Sequence, residues 1–220
     1  MGTRQNSSEI DNILNETEIG QVIAKNKMIF VALAVIAVLG VFVYGGFSSW
    51  NKSASEKHYE IIRVYQENFE KLSLEKTVNI KAIVSSFQDL KKKIGSSKLL
   101  FYPALITGDF LRTKGALSES ENVYQQAFSS VSIASSSTML GLRLAVVKED
   151  LKKYDQAIKV LEKVAAFKIK AFEGKIYLDI GRIYSLKGNK EKAKSNYQYV
   201  IDNSSDTEML KLARLGLAGL

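Results

Sequence analysis

The chain has 220 residues, no cysteine, one histidine and a formal net charge of +8. The absence of cysteine excludes disulfide bonds and zinc sites built on thiolates, and one histidine cannot supply a multi-histidine metal centre. No nucleic-acid-binding module is recognisable, so the dispersed lysines indicate solvated helix faces rather than a nucleic-acid site.

The first predicted elements are a polar leader, residues 1–27, and an uncharged apolar run, Met28–Phe47. At about 1.5 Å per residue the run would be roughly 30 Å long, which matches the hydrocarbon core of a bilayer. Lys25 and Lys27 precede it, and aromatic residues follow at its other end, where they suit the membrane interface. We therefore predict a single transmembrane helix at 28–47.

A cleaved signal peptide is the alternative for this run. Signal peptides begin with a short basic segment and have an apolar core of about 7–15 residues, whereas this leader carries acidic residues and the run is longer. A retained signal anchor fits better, although the stretch 44–46 leaves processing open. Basic residues flank both ends of the run, so charge does not decide its orientation.

Residues 51–95 predict a hairpin of two amphipathic helices. Apolar residues recur at three- and four-residue steps in both halves, so that each helix has one face to bury. Asn79 or Thr77 can cap the second helix, and Gly95 can end it. The two apolar stripes are Tyr59, Ile62, Tyr65, Phe69 and Leu72, and then Ile80, Ile83, Phe87, Leu90 and Ile94.

A repeat with a period of about 34–37 residues begins near residue 101. Small residues recur midway along the first and second predicted helices of each repeat, and a bulky residue follows the second small one. Such a pattern lets the two helices of a repeat approach closely. The three recurring sets are Gly108, Ala145 and Gly181, then Ser120, Ala157 and Ala193, then Tyr124, Leu161 and Tyr197.

Two capping boxes are also predicted in this part of the chain. Ser118 with Glu121 would open the second helix of the first repeat, and Ser205 with Glu208 would open a final helix.

These positions resemble those of the tetratricopeptide repeat. The match is strongest over Ile176–Ile201 and weaker over Lys152–Val164 and Ala104–Phe128. The resemblance implies an all-α protein in which residues 101–220 form three tetratricopeptide-like repeats and a C-terminal capping helix. The expected fold is thus an α-solenoid behind an N-terminal transmembrane helix and a helical hairpin.

The same resemblance implies that the first helix of each repeat lines a concave groove. Apolar and charged residues are mixed there, as suits an extended or helical peptide segment. Several of these residues could instead only pack against neighbouring helices, and the hairpin could be the binding surface. The candidate groove residues are Tyr102, Leu105, Asp109, Arg112, Met139, Leu142, Glu149, Lys175, Leu178 and Arg182.

No catalytic, cofactor or metal site is predicted. His58 is the single histidine and lies on a helix next to the predicted span, where a solvated surface residue is expected. Glycine-rich phosphate loops are missing, and the adjacent acids Glu149 and Asp150 suit solvation at a helix end. We therefore expect no cofactor and no enzymatic activity.

The order of leader, span, hairpin and repeats resembles the YfgM-type family of ancillary SecYEG translocon subunits. This resemblance implies a single-pass protein of the bacterial inner membrane whose C-terminal domain is periplasmic. It also implies translocon subunits and a periplasmic chaperone such as PpiD as partners, and a role in handing over secreted chains. A bitopic repeat adaptor for another envelope complex, in outer-membrane assembly or cell division, remains the alternative.

The uncharged run Met28–Phe47 generates a test of anchoring. We expect the full chain to stay in the membrane pellet after alkaline carbonate washing. Carbonate releases peripheral proteins, but a protein with an apolar transmembrane span remains in the bilayer. A variant without residues 1–50 should appear in the soluble fraction and remain helical by circular dichroism. Release of the full chain by carbonate would contradict the single-span prediction.

Overall fold

The computed structural model describes residues 57–220, and the regular elements in this part of the chain are all helices. The expected all-α fold is therefore confirmed for these residues. Between residues 57 and 220, no helix is both long enough and apolar enough to span a bilayer. The predicted leader and the predicted span Met28–Phe47 lie outside the described residues.

The helices follow one another in pairs that are joined by short turns, and a 3₁₀ turn at Lys98–Leu100 precedes the second pair. One further helix follows the fourth pair. The pairs are α1 (57–73) and α2 (Ile80–Ile94), α3 (Phe101–Thr113) and α4 (Leu117–Phe128), α5 (Ala134–Asp150) and α6 (Tyr154–Ala165), and α7 (Lys170–Leu186) and α8 (Lys190–Asn203), and α9 is Thr207–Ala218.

The predicted hairpin falls in register with the repeats. The second helices of the four pairs begin at residues 80, 117, 154 and 190, so successive starts are 37, 37 and 36 residues apart. Tyr65 of α1 shares a buried hydrogen bond with Thr107 of α3. The rings of Phe69 and Phe110 meet edge to face, with 5.5 Å between their centroids. The pair α1–α2 therefore packs directly on the first repeat, one period ahead of it.

The turns inside the three repeats share one backbone conformation. Gly115, Lys152 and Gly188 have positive φ angles of 76°, 60° and 75°. In each turn the next residue donates its backbone N–H to a carbonyl five residues earlier, at 2.9, 2.7 and 2.9 Å. This hydrogen bond closes the first helix, and the second helix begins at the following residue. Lys152 adopts a conformation that costs a residue with a Cβ roughly 1–2 kcal/mol.

The rings of tyrosines on the second helices pack against glycines on the first helices, as the periodicity predicts. A Cβ atom on Gly108 would lie 2.4 Å from the ring of Tyr124, and one on Gly181 would lie 2.8 Å from the ring of Tyr197. Ser120, at the small position of α4, is fully buried and donates its hydroxyl to the carbonyl of Gly108 at 2.8 Å. These contacts leave no room for a side chain at the glycine positions.

The apolar core runs along the array and includes residues from Tyr65 of α1 to Ile183 of α7. A second cluster joins α7 and α8 to α9, where Ala213 is fully buried and Met209 and Leu217 are partly buried against the cluster. The ring of Tyr197 also lies against Gly216 of α9, where an added Cβ would be 2.5 Å away. Helix α9 therefore covers the last repeat.

Neither predicted capping box forms. Helix α4 begins at Leu117 without a side-chain cap, and the carboxylate of Glu121 binds two lysines instead. Helix α9 is capped by Asp206, which accepts hydrogen bonds from the N–H groups of Glu208 and Met209. Asp206, one residue closer to the helix than Ser205, is thus the N-cap residue, and its Oδ1 atom accepts both hydrogen bonds.

The packing at Gly181 generates a stability prediction. Gly181→Leu should lower the free energy of unfolding by roughly 1–3 kcal/mol, because the new side chain overpacks the contact with Tyr197. Urea denaturation of the full chain measures this change. Gly219→Leu is the control, since a Cβ at Gly219 meets its nearest neighbour only at 3.6 Å. Equal stability of both variants would contradict the assigned packing.

Candidate protein-binding surface

The first helices of the three repeats lie side by side. Helix α3 contacts α5, α5 contacts α7, and α7 contacts α9. We call the surface formed by α3, α5 and α7 the first-helix surface. All ten predicted groove residues lie on these three helices.

The apolar candidates differ in how much surface they offer. Tyr102 is 54% exposed and Met139 is 38% exposed. Leu105 and Leu142 are half-buried against the core, whereas Leu178 is only 8% exposed and belongs to the second core cluster. Tyr102 and Met139 are therefore the apolar candidates available to a partner, and Leu178 mainly stabilises the last repeat.

The charged candidates form ion pairs between neighbouring first helices. The Nε atom of Arg112 donates to the carboxylate of Asp150 at 2.6 Å, which joins α3 to α5. Arg182 on α7 binds the carboxylate of Glu149 on α5. A further pair joins Asp109 on α3 to Arg143 on α5 at 3.7 Å. Arg112, Asp109, Glu149 and Arg182 thus connect the repeats to one another.

Further hydrogen bonds hold the acidic members of this network in place, from a second helix in one case and from the same first helix in the other. The hydroxyl of Tyr124 donates to Asp109 at 2.7 Å, and burial together with this carboxylate raises the pKa of Tyr124. Asp179, whose side chain is 4% exposed, accepts from Lys175 at 2.5 Å and from Arg182 at 3.3 Å. Burial opposes the charge of Arg182, but its carboxylate partners outweigh burial and raise its pKa.

Each charged side chain on the three first helices takes part in an ion pair. The charges on this surface are thus paired within the array, and a substitution at Arg112 or Arg182 would remove a contact between two first helices. The paired residues are Asp109, Arg112, Arg143, Lys148, Glu149, Asp150, Lys170, Glu173, Lys175, Asp179 and Arg182.

Sequence reasoning missed the buried pair of Lys148 and Glu121. The side chains are 7% and 14% exposed, and the Nζ atom of Lys148 lies 2.6 Å from Glu121 and 2.9 Å from the amide oxygen of Gln156. Lys153 binds the second carboxylate oxygen of Glu121 at 2.6 Å. This cluster joins α4, α5 and α6. Its signal in the sequence is a lysine directly after the buried Val147, within an otherwise apolar helix face.

The inter-repeat pairs also have a signal that sequence reasoning could have used. Opposite charges recur about one repeat apart on successive first helices: Arg112 and Asp150 are separated by 38 residues, and Glu149 and Arg182 by 33. Because neighbouring repeats contact each other, such charges come close in space.

The comparisons with known proteins agree with this architecture. Residues 25–220 match the tetratricopeptide repeat-like domain family, and the chain belongs to this family. A structure of MamA, residues 41 to the end, from Desulfovibrio magneticus RS-1 is similar, with a TM-score of 0.51 and 15% identity over 72% of this chain and 85% of that chain. At that identity the likeness shows the fold alone. The sequence matches no curated protein.

The expected tetratricopeptide-like solenoid is therefore confirmed. Domains of this class typically bind other proteins, so the coarse function is a protein–protein interaction scaffold.

The buried pair generates a prediction on pH dependence. Burial alone would raise the pKa of Glu121, but hydrogen bonds from Lys148 and Lys153 outweigh burial and lower it below the ordinary value of 4.5. A carboxyl with a lowered pKa in the folded state stabilises the fold above its unfolded pKa, and this stabilisation is lost as pH falls through the folded pKa.

Glu121→Gln should therefore lower the free energy of unfolding at pH 7 by about 1.5–3 kcal/mol, the usual range for hydrogen bonds to charged groups. The difference from the unsubstituted protein should shrink as the pH falls below about 4.5. Denaturant titrations at several pH values measure it. Glu162→Gln is the control, because Glu162 is exposed. A difference that stays constant down to pH 3 would contradict the pairing.

Proposed function

We propose that this protein is a membrane-anchored, non-enzymatic scaffold that binds segments of other proteins on its first-helix surface. One observation carries the proposal. Tyr102 and Met139 are large, apolar and exposed, and they occupy the same position on successive first helices, one repeat apart. Because the charges around them are already paired within the array, these two side chains are free to recognise a partner.

The chemistry of such a surface favours an apolar partner segment. Burying an exposed apolar side chain fully stabilises a complex by about 1.5–3 kcal/mol, and a partly exposed one contributes less. Two such contacts give weak, reversible binding once the cost of association is included. Weak binding to apolar segments suits a protein that holds an unfolded chain briefly and then releases it.

The cellular setting follows from the resemblance to YfgM-type translocon subunits. Residues 28–47 anchor the protein in the bacterial inner membrane, and the repeat domain lies in the periplasm. There it binds subunits of the Sec translocon and a periplasmic chaperone such as PpiD, and it assists the transfer of secreted chains. Support comes from the uncharged run Met28–Phe47 and from the match of residues 25–220, which include this run, to the tetratricopeptide repeat-like domain family.

A double variant, Tyr102→Ser with Met139→Ser, tests the surface. Crosslinking in intact membranes, followed by mass spectrometry, should recover partner proteins severalfold less with this variant. Thermal melting should change little, because exposed substitutions usually alter stability by no more than about 0.5 kcal/mol. The matched control is Leu74→Ser with Phe167→Ser, since these side chains are 77% and 39% exposed and lie outside the first-helix surface.

The identity of the partners separates the possible roles. Translocon subunits and a periplasmic chaperone should dominate the crosslinked proteins. Dominance of an outer-membrane assembly or cell-division complex would instead support an adaptor for that complex. Unchanged recovery with the double variant would contradict binding at Tyr102 and Met139.

A further inference from the structure

Helix α9 occupies the place of a first helix. It begins at Thr207, 37 residues after α7 begins at Lys170, which is the spacing of the repeat. It contacts both α7 and α8, as a first helix contacts the preceding pair. Among residues 57–220, no second helix pairs with it.

The outer face of α9 has counterparts on α7. One repeat earlier, the same positions of α7 pack against the second helix α8 and the turn that follows it. The outer face consists of Thr207, Leu210, Lys211, Arg214 and Leu215, which line one depression of about 320 Å³. Their counterparts are Lys170, Glu173, Gly174, Tyr177 and Leu178.

In the complete repeat, the corresponding face of α7 packs against residues of α8 and of the turn after it. The rings of Tyr177 and Tyr199 lie 3.9 Å apart, and Glu173 accepts a hydrogen bond from the hydroxyl of Tyr199 on α8. A Cβ on Gly174 would lie 3.2 Å from the hydroxyl oxygen of Ser204. The face is thus shaped to pack against a helix.

The outer face of α9 is exposed to solvent, unlike the corresponding face of α7. Leu215 is 60% exposed, whereas its counterpart Leu178 is 8% exposed. Leu210 is half-buried beside it. A helix that covered this face would therefore remove leucine side chains from water, which favours association.

The charges of the face indicate the chemistry of its occupant. Lys211 and Arg214 are exposed, and within residues 57–220 neither takes part in an ion pair, in contrast to the charged residues on α3, α5 and α7. Glu208, the acidic residue of α9, lies in its first turn, where it complements the helix dipole. Two copies joined through this face would bring the cations together, and acidic side chains would complement them.

We infer that the outer face of α9 binds an amphipathic α-helix of a partner protein, with an apolar row against Leu210 and Leu215 and acidic residues beside Lys211 and Arg214. The partner helix takes the position of a second helix and completes a fourth repeat between two proteins. This site is separate from the first-helix surface and does not depend on its function.

The test measures fluorescence anisotropy with the full chain in nanodiscs of zwitterionic phosphatidylcholine. The probe is a labelled helical peptide in which leucines recur at three- and four-residue steps and glutamates flank them. A peptide with lysines in place of the glutamates should bind at least tenfold more weakly. Leu215→Ser, and Lys211→Glu with Arg214→Glu, should each weaken binding of the acidic peptide at least tenfold.

Matched controls locate the binding site. Leu74→Ser and Lys194→Glu alter exposed residues elsewhere and should leave the affinity unchanged. Equal binding of the acidic and basic peptides, or no binding of either, would overturn the inference. So would loss of binding with Met139→Ser but not with Leu215→Ser. Self-association that light scattering detects and Leu215→Ser abolishes would assign the face to a second copy.

Discussion

Close approach between the two helices of a repeat is the constraint on which the array depends. At Gly108 and Gly181 the ring of a tyrosine from the second helix occupies the space that a side chain would need. The ring of Tyr197 is enclosed from two sides, because Gly216 of α9 meets it as well. The ring of Tyr197 therefore packs the two helices of the last repeat together and also packs that repeat against α9. Removal of the ring would loosen both contacts.

Close packing of the helix pairs buries polar groups, and these groups must find hydrogen-bond or ion-pair partners inside the array. Burial of Lys148 is tolerated because Glu121 and Gln156 bind its ammonium group, and Asp179 is tolerated because Lys175 and Arg182 bind its carboxylate. Breaking such a buried pair costs much more than an exposed pair contributes. Ion pairs between the first helices therefore also join successive repeats.

The first-helix surface and the outer face of α9 differ in their exposed side chains. On the first-helix surface, Tyr102 and Met139 stand among paired charges, which suits brief contact with apolar segments. On the outer face of α9, Leu215 stands beside Lys211 and Arg214, which suits a helix with acidic residues. The two proposed surfaces therefore differ in the chemistry of the segment that each would bind.

The sequence by itself determined the helices, their period and their closest contacts. Apolar spacing and small residues at 108 and 181 are local properties, and they predict which faces meet. The hairpin was predicted from its apolar stripes, but its register with the repeats became clear only from the contacts of Tyr65 and Phe69 with α3.

Only the tertiary structure decided the role of each charge. Glu121 suits a capping box in the sequence, yet in the fold it binds Lys148 from the next repeat, because a buried ammonium group requires a partner. Arg112, Glu149 and Arg182 were predicted to face a ligand, and they bind residues of neighbouring first helices. A side chain's partner depends on distances between repeats, and no local pattern contains those distances.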